Sequence, residues 1–485
     1  MAEQPSALGS GALWAMLDNL AQQVLSFAVF LILARLIAPQ EFGLIAVAHL
    51  VITFLRQTIL DAIVHPVARC ADPTDALYSY AFGLCVLVSA LMCAAMLASA
   101  AVLARWYAQP DLVVVVSWMS LVILTTGMAA VYEARLIRQM QFRPLAIRSI
   151  VSVTIGGVVG IVLALRDAGV MALVAQQVVT GATALALLVV QSNWQPQWTK
   201  KRAHPHLLLA DAVRVGFTGL FGFISSQGDT VLISVLMGPY ATGIYSFAKR
   251  LTSAVYLVVG SSLLRLAIAA FARAQGDSHA LRESYVRILG MSVCLMAPLL
   301  AGLSILASPL IAQFFGMAWM PAVPIVALLS VFYLFLAANQ INDYLLFAVG
   351  ARSIPMRRTL VQIVVALALG LLMFHKGLAW IAAGFVIAGV VVWPWAQWLA
   401  NGHMQFGFLK LARALQAPAL ATAAMMAVLL FSQRYAVPTA FSLGVQIVCG
   451  AGVFLTIHWM VTAVSSGAHN ALEDLTRLFV SQPVD

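Results

Sequence analysis

Residues 34–43 read Ala-Arg-Leu-Ile-Ala-Pro-Gln-Glu-Phe-Gly, and residues 234–243 read Ser-Val-Leu-Met-Gly-Pro-Tyr-Ala-Thr-Gly. The two stretches align without a gap and share a leucine, a proline and a glycine. Each stretch separates two long apolar segments, and proline is favoured in the first turn of a helix. The pattern therefore predicts two helical hairpins of the same design, two hundred residues apart.

A second match supports an internal repeat. At an offset of 210 residues, Glu133 aligns with Asp343, and each lies near the end of a predicted helix. Chance similarity between apolar segments is the alternative explanation for any single match. The matches agree in order and in position along the helices, which favours two related halves of six helices each. Both halves begin on the same side of the membrane, so the repeat is parallel rather than inverted.

The composition limits the class of protein. Of 485 residues, 62% are hydrophobic and 9% are charged, whereas soluble domains have about 45–50% apolar and about 25% charged residues. So few charges exclude a soluble enzyme, and the high hydrophobicity excludes a disordered chain. Because one transmembrane helix needs about 20 apolar residues, the chain is predicted to cross a membrane many times.

The apolar segments predict an all-α polytopic membrane protein with about fourteen transmembrane helices. The count falls to thirteen or twelve if the weak pair between residues 357 and 399 is misassigned. The predicted spans are residues 11–37, 41–63, 77–104, 111–132, 145–165, 169–192, 213–237, 240–267, 284–308, 322–349, 357–374, 377–399, 411–432 and 438–464.

The repeat groups these helices into two six-helix lobes. The N-lobe covers residues 1–192 and the C-lobe residues 213–399, with a cytoplasmic linker at residues 193–212. Residues 400–485 hold two further helices and a tail. Within that tail, the leucine pattern of residues 468–480 predicts an amphipathic helix on the cytoplasmic surface.

The basic residues predict the orientation. Nineteen of 27 Lys and Arg residues lie in or beside the loops after even-numbered predicted helices or in the C-terminal tail, and five lie in or beside the loops after odd-numbered ones. Cytoplasmic loops are the ones rich in Lys and Arg, so both termini are expected in the cytoplasm. The net charge of +10 is then explained by topology, and no nucleic-acid partner is expected.

Three stretches resemble one transporter family. Residues 31–44 resemble its first hairpin, residues 243–251 resemble the opening of its eighth helix, and residues 314–319 resemble its outer loop before helix ten. The chain is thus similar to the MOP exporter superfamily and, within it, to Wzx-type bacterial polysaccharide flippases. The resemblance implies that undecaprenyl-pyrophosphate-linked oligosaccharide moves from the inner to the outer leaflet of the bacterial inner membrane, for surface polysaccharide or exopolysaccharide biosynthesis. It also suggests a polysaccharide polymerase and the export machinery as protein partners.

Basic side chains inside the spans are the first candidates for substrate binding. Charges within a span are costly and usually face a cavity, and guanidinium groups bind phosphate oxygens well. Lys249 and Arg250 lie about 14 Å along the eighth predicted helix. Arg56 and His49 lie on the second. The alternative for Arg250 is a pairing with Asp229 or an extension along the helix to the interface.

Polar clusters on the first and seventh predicted helices form a second group. Asn19, Gln22 and Gln227 are candidates to bind sugar hydroxyls, and hydrogen bonding between helices is the equally weighted alternative. Asp18 and Asp229 are candidates to bind a coupling proton or sodium ion.

Acidic residues near the inner helix ends form a third group. Glu133 and Asp343 are candidates for inner-gate salt bridges, with Arg135, Arg138 and Arg352 as nearby basic residues. Their alternative is to be ordinary solvated loop charges.

Two other function classes are alternatives to the flippase. A cation-coupled multidrug antiporter of the same superfamily would usually have twelve helices and an acidic cavity. A membrane polysaccharide polymerase, ligase or glycosyltransferase would need catalytic acids or histidines on large outer loops, and the predicted outer loops are short. We therefore expect a transporter rather than an enzyme, with no cofactor and no metal site.

Overall fold

The computed structural model describes residues 5–69, 74–192, 194–197, 205–404, 408–435 and 439–464. The linker cations at 200–202 and the predicted amphipathic segment at 468–480 lie outside these ranges. The side chain of Asn19 also lies outside the described part, although its backbone belongs to the first helix.

All regular structure in the described ranges is helical. A π-helical turn, Arg56–Leu60, joins the second and third helices, and short 3₁₀ turns cover Met317–Ala322 and Phe374–Lys376. The α-helices are α1 (Pro5–Leu36), α2 (Pro39–Leu55), α3 (Asp61–Arg69), α4 (Asp75–Trp106), α5 (Asp111–Arg138), α6 (Phe142–Ala164), α7 (Val170–Gln191), α8 (Pro205–Arg273), α9 (Ser278–Phe314), α10 (Val323–Ala348), α11 (Ser353–Met373), α12 (Leu378–Met404), α13 (Phe408–Gln433) and α14 (Ala440–Val464).

Twelve helical segments of the described chain are long and apolar enough to cross a membrane. One of them, Ala212–Arg273, is 62 residues long, and Leu20–Leu36 is a shorter apolar helix. The predicted class, an all-α multi-pass membrane protein, is confirmed. The number fourteen stays a prediction. It is reached only if the 62-residue segment crosses the membrane twice and the shorter helix Leu20–Leu36 crosses it once.

The long helix α8 is interrupted where the sequence predicts a boundary between two spans. Gly238 has φ 79° and ψ −175°, so the helix is broken there, and Pro239 follows inside the same element. A positive φ is readily adopted only by glycine, and proline removes a backbone donor. These two residues therefore separate α8 into two helical segments.

The chain divides into two compact units, Met1–Ile244 and Tyr245–Asp485. In the first unit α4 packs on α5, α6 packs on α1 and α7, and α5 also packs on α7. In the second unit α9 packs on α10 and α13, and α12 packs on α10 and α11. The predicted lobe boundary at residues 193–212 stays a prediction, because the compact first unit also contains the first segment of α8.

The two repeated Pro-to-Gly stretches contact each other within the first unit. A Cβ atom added to Gly43 would lie 1.8 Å from the Pro239 carbonyl oxygen, and one added to Gly243 would lie 2.0 Å from the Pro39 carbonyl oxygen. The contact is therefore reciprocal, as in a two-fold symmetric interface. Glycine at both positions lets the two backbones touch directly.

Candidate functional site

The π-helical turn carries Arg56 and packs against the first segment of α8. A Cβ atom on Gly219 would lie 1.9 Å from the Gln57 carbonyl oxygen, and the rings of Phe54 and Phe223 are 5.3 Å apart. The Arg56 side chain is exposed, and among the described residues it makes no hydrogen bond or ion pair. The turn therefore presents a guanidinium group from within an apolar span. Such π turns are frequent at functional sites.

The second segment of α8 carries the other two predicted cations. Lys249 is half-buried, and its Nζ lies 6.0 Å from the centre of the Tyr245 ring, at the limit for a cation–π contact. The neighbouring Arg250 side chain is exposed. Its backbone carbonyl accepts a 3.1 Å hydrogen bond from Ser253 Oγ. His49, on α2 in the first unit, is also exposed.

The polar residues predicted to bind sugar hydroxyls or a coupling ion all belong to the first unit. Gln22 is exposed, and Gln227 is half-buried. Asp18 Oδ1 is buried and has no hydrogen-bond partner among the described residues. Asp229 Oδ1 accepts hydrogen bonds from Thr230 N at 2.7 Å and Thr230 Oγ1 at 3.1 Å. Their roles as sugar or ion ligands stay predictions.

Glu133 forms an ion pair inside the first unit. Its Oε1 accepts a short hydrogen bond from Arg148 Nη1, which joins α5 to α6. Arg148 Nη2 also donates to Ser149 Oγ at 3.2 Å, whereas Arg148 Nε is buried without a partner in the described part of the chain. The observed partner of Glu133 is thus Arg148, and not one of the arginines named from sequence proximity.

Asp343 forms the corresponding ion pair in the second unit. Arg358 Nε and Nη2 donate to Asp343 Oδ1 and Oδ2 at 3.1 and 2.7 Å, which makes the pair bidentate. Arg358 Nη1 also donates to Gln362 Oε1 at 2.7 Å. The pair joins α10 to α11, and the side chains of Arg358 and Asp343 are 7% and 16% exposed.

The two ion pairs occupy equivalent positions in the repeat. Each acidic residue pairs with the arginine 15 residues later, and both members are related by the offset of 210 seen in the sequence. Each pair connects consecutive helices of one unit. A gating role for Glu133 and Asp343 stays a prediction. The contacts show that each residue links two consecutive helices through its ion pair.

Sequence reasoning did not identify a cleft in the second unit. The cleft lies between α8, α9 and α10, is open on one side and has room for about one water molecule. Tyr256, Ser292 and Gln340 contribute polar groups, and Gly260, Leu263 and Ile341 contribute apolar ones.

Metal binding has no support within the described ranges, where no group of three or more His, Cys, Asp and Glu side chains is placed to hold an ion.

Comparison with solved structures identifies similar folds. The lipid II flippase MurJ in an inward closed conformation superposes with a TM-score of 0.74 and 14% identity, covering 93% of this chain and 98% of that one. An inward-facing MATE family multidrug resistance transporter of the MOP superfamily gives a TM-score of 0.58 and 14% identity, covering 81% and 99%. These similarities concern the fold alone, and they agree with the all-α multi-pass fold expected from the sequence.

Two curated relatives are similar in sequence. The succinoglycan biosynthesis transport protein ExoT of Rhizobium meliloti (strain 1021) is 28% identical over 324 residues, 65% of this chain and 64% of that protein, which is less than two thirds of its length. The teichuronic acid biosynthesis protein TuaB of Bacillus subtilis (strain 168) is 24% identical over 456 residues, 92% and 94% of the two chains. The model of the family described as "Polysaccharide biosynthesis protein" matches residues 32–324. That match covers more than half of the chain, which therefore belongs to this family.

Proposed function

We propose that this protein is a flippase that moves undecaprenyl-pyrophosphate-linked oligosaccharide from the inner to the outer leaflet of the bacterial inner membrane. The observation that carries the proposal is the placement of basic side chains inside apolar helices of a member of the polysaccharide biosynthesis family. Arg56, Lys249 and Arg250 all lie within segments long and apolar enough to span a membrane. A pyrophosphate brings negative charge into the membrane, and these side chains can neutralise it.

The cost of placing a guanidinium group in lipid supports a cavity-facing position for Arg56 and Arg250. A guanidinium group facing lipid near the middle of a span costs about 2.5–3.5 kcal/mol even on the most permissive scale. Both side chains are exposed, so a water-filled cavity is the favourable environment for them. In the proposed mechanism the two predicted lobes open such a cationic cavity alternately to either side of the membrane.

The proposal includes an orientation. Both termini and the linker at residues 193–212 are placed in the cytoplasm, because most basic loop residues fall on that side. The Pro-to-Gly stretches then lie at the outer face. A single cysteine at Gly238 should react with an impermeant thiol reagent in intact cells, and one at Lys201 should not.

The first experiment tests transport itself. Deleting the gene should leave lipid-linked oligosaccharide in the inner leaflet, as measured by a leaflet-selective probe, and restoring the gene should correct this. An unchanged leaflet distribution together with lost drug efflux would instead indicate the multidrug antiporter.

Arg250 variants then test the site. Arg250→Ala should abolish export at normal protein abundance, and Arg250→Lys should retain part of it, since lysine keeps the charge but loses the bidentate geometry. Arg265→Ala is a matched control, because Arg265 is an exposed arginine on the same helix that bonds Ser262 Oγ at 3.3 Å. If Arg250 only neutralises Asp229, the double change Arg250→Ala with Asp229→Ala should restore export. Wild-type export by Arg250→Ala would remove this residue from the site.

A further inference from the structure

We propose that Gly219, on the first segment of α8, is a positioning residue for Arg56. Its missing side chain leaves space for the Gln57 carbonyl group, and this backbone contact stabilises the π-helical turn that begins at Arg56. The inference rests on the proposed flippase function, in which Arg56 binds the pyrophosphate. It adds to that function a residue that acts through Arg56 without contacting the substrate.

The turn contains one residue more than an α-helical turn. The Asp61 N–H donates to the Arg56 carbonyl five residues earlier, whereas an α-helical N–H donates to the carbonyl four residues earlier. Residues five apart can therefore face the same side, and Leu55 and Leu60 are both buried, at 9% and 3% exposure. Because one residue of an α-helix corresponds to about 100° of rotation, an α-helical turn at this place would redirect Arg56 relative to α3 by about that angle.

The threonine of the turn lacks a hydrogen bond that an α-helix offers. Thr58 Oγ1 is buried and has no partner among the described residues. In α5 and α7, Thr126 Oγ1 and Thr180 Oγ1 each donate to the carbonyl four residues earlier, at 2.6 and 2.7 Å. An unsatisfied buried hydroxyl is unfavourable, so this bonding pattern favours the α-helical form. The π form is therefore stabilised by contacts outside the turn.

The first segment of α8, in the same compact unit, supplies such a contact. A Cβ atom on Gly219 would lie 1.9 Å from the Gln57 carbonyl oxygen and 2.8 Å from the carbonyl carbon, so only glycine lets the two backbones meet. A Cβ atom on Gly216 would lie 3.1 Å from the Thr58 carbonyl oxygen. A Cβ atom on Gly222 would have no described atom outside its own helix within 4 Å. The three glycines thus form a graded series on one helix.

The substrate preference of the purified full-length protein tests the inference. Kd is measured in detergent for undecaprenyl-pyrophosphate-linked oligosaccharide and for the monophosphate lipid carrying the same oligosaccharide. Arg56→Ala should lower the preference for pyrophosphate by about tenfold or more, the loss expected for a hydrogen bond to a charged group. Gly219→Ala should lower the preference to the same extent and Gly216→Ala to a smaller one. Gly222→Ala is the matched control and should leave it unchanged.

The ratio of the two Kd values distinguishes positioning from a general structural role. A structural defect weakens the binding of both lipids and leaves the ratio unchanged, whereas a misplaced Arg56 lowers the ratio. The double variant Arg56→Ala with Gly219→Ala should show the same ratio as Arg56→Ala alone, because residues that act through one another are not additive. If Gly219→Ala does not fold, Gly216→Ala replaces it in this scheme, since its Cβ requires only a small shift of the Thr58 carbonyl.

The outcomes separate the inference from the function on which it rests. A lowered ratio in Gly219→Ala that falls no further in the double variant supports the inference. An unchanged ratio in both Gly219→Ala and Gly216→Ala, or losses that multiply in the double variant, would overturn it while Arg56 remains in the site. An unchanged ratio in Arg56→Ala would remove both residues from the site. Absence of binding of either lipid by the wild-type protein would refute the proposed function itself.

Discussion

The two halves of this protein join equivalent helical hairpins through the same kind of ion pair, but the arginines of the two pairs differ in how many of their nitrogens are hydrogen-bonded. In the first unit, Glu133 and Arg148 form the pair, and Arg148 Nε remains buried and unpaired in the described part of the chain. In the second unit, Arg358 contacts Asp343 with two nitrogens and uses the third for Gln362. The repeat thus preserves the charges, whereas the completeness of the hydrogen bonding differs.

The surroundings of the two pairs differ more than the pairs do. Near the first pair, Trp194 packs on Tyr132 with ring centres 5.4 Å apart, and Arg135 lies 5.4 Å from the centre of the Trp194 ring. Near the second, Tyr285, Asn342 and Gln397 form a buried hydrogen-bond network in which Tyr285 Oη donates to Asn342 Oδ1 at 2.6 Å. One hairpin is therefore surrounded by aromatic packing and the other by buried amides. Charge pairing is the shared element, and three substitutions can test how much it contributes.

The largest effect is expected for Asp343→Ala. Removing this carboxylate leaves Arg358, which is 5% exposed, as a buried charge with only neutral partners. Breaking a buried pair in this way costs about 3–5 kcal/mol of unfolding free energy. Thermal unfolding of the detergent-solubilised protein should show a clear fall in Tm. Glu283→Ala serves as the control, because Glu283 is 71% exposed and is paired with the similarly exposed His279. Equal Tm values for the two variants would contradict the prediction.

A smaller effect is expected for Glu133→Ala. The side chains of Arg148 and Glu133 are 15% and 26% exposed, so water can partly replace the lost partner. We expect a loss of about 1–3 kcal/mol, the range for leaving a hydrogen-bonding group unsatisfied. The same unfolding measurement applies. A loss of unfolding free energy larger than that of Asp343→Ala would show that the burial of the two ion pairs does not determine which contributes more to stability.

The smallest effect is expected for Asp75→Asn. Asp75 pairs with Arg135 at 2.8 Å, but its side chain is 63% exposed, and exposed pairs contribute about 0–1 kcal/mol. Arg135 also keeps its contacts with the Tyr78 and Trp194 rings. The difference from wild type should shrink further in high salt because of screening. A salt-independent destabilisation comparable to that of Glu133→Ala would refute this ranking.

Sequence reasoning located the helices well because their apolar segments are long and their breaks are chemically marked. The boundary predicted between residues 237 and 240 coincides with the non-helical Gly238. The π-helical turn at Arg56–Leu60 was not predicted, since one extra residue in a helical turn leaves no compositional signal. The correspondence of Glu133 and Asp343 was also visible in the sequence.

The arginine partners of these two acidic residues follow from the geometry of the hairpins rather than from proximity along the chain. The basic residues nearest along the chain include Arg135, Arg138 and Arg352, but side chains of antiparallel helices meet at about equal distances from the turn between them. Helix α5 ends five residues after Glu133, and α6 begins six residues before Arg148. Counting from the turn in both directions leads to both observed arginines to within one residue. The cleft at Gln340 was beyond such counting, because three helices form it and their packing is not encoded in any single segment.

The reciprocal contact of Gly43 and Gly243 has a consequence for how such a duplicated chain can diverge. Each glycine faces main-chain atoms of the opposite stretch, so no side-chain substitution elsewhere can make room for a larger residue. The two positions should therefore resist change independently, without compensating changes in one another. Among homologues of this chain, covariation methods would detect no signal between two residues that are in direct contact.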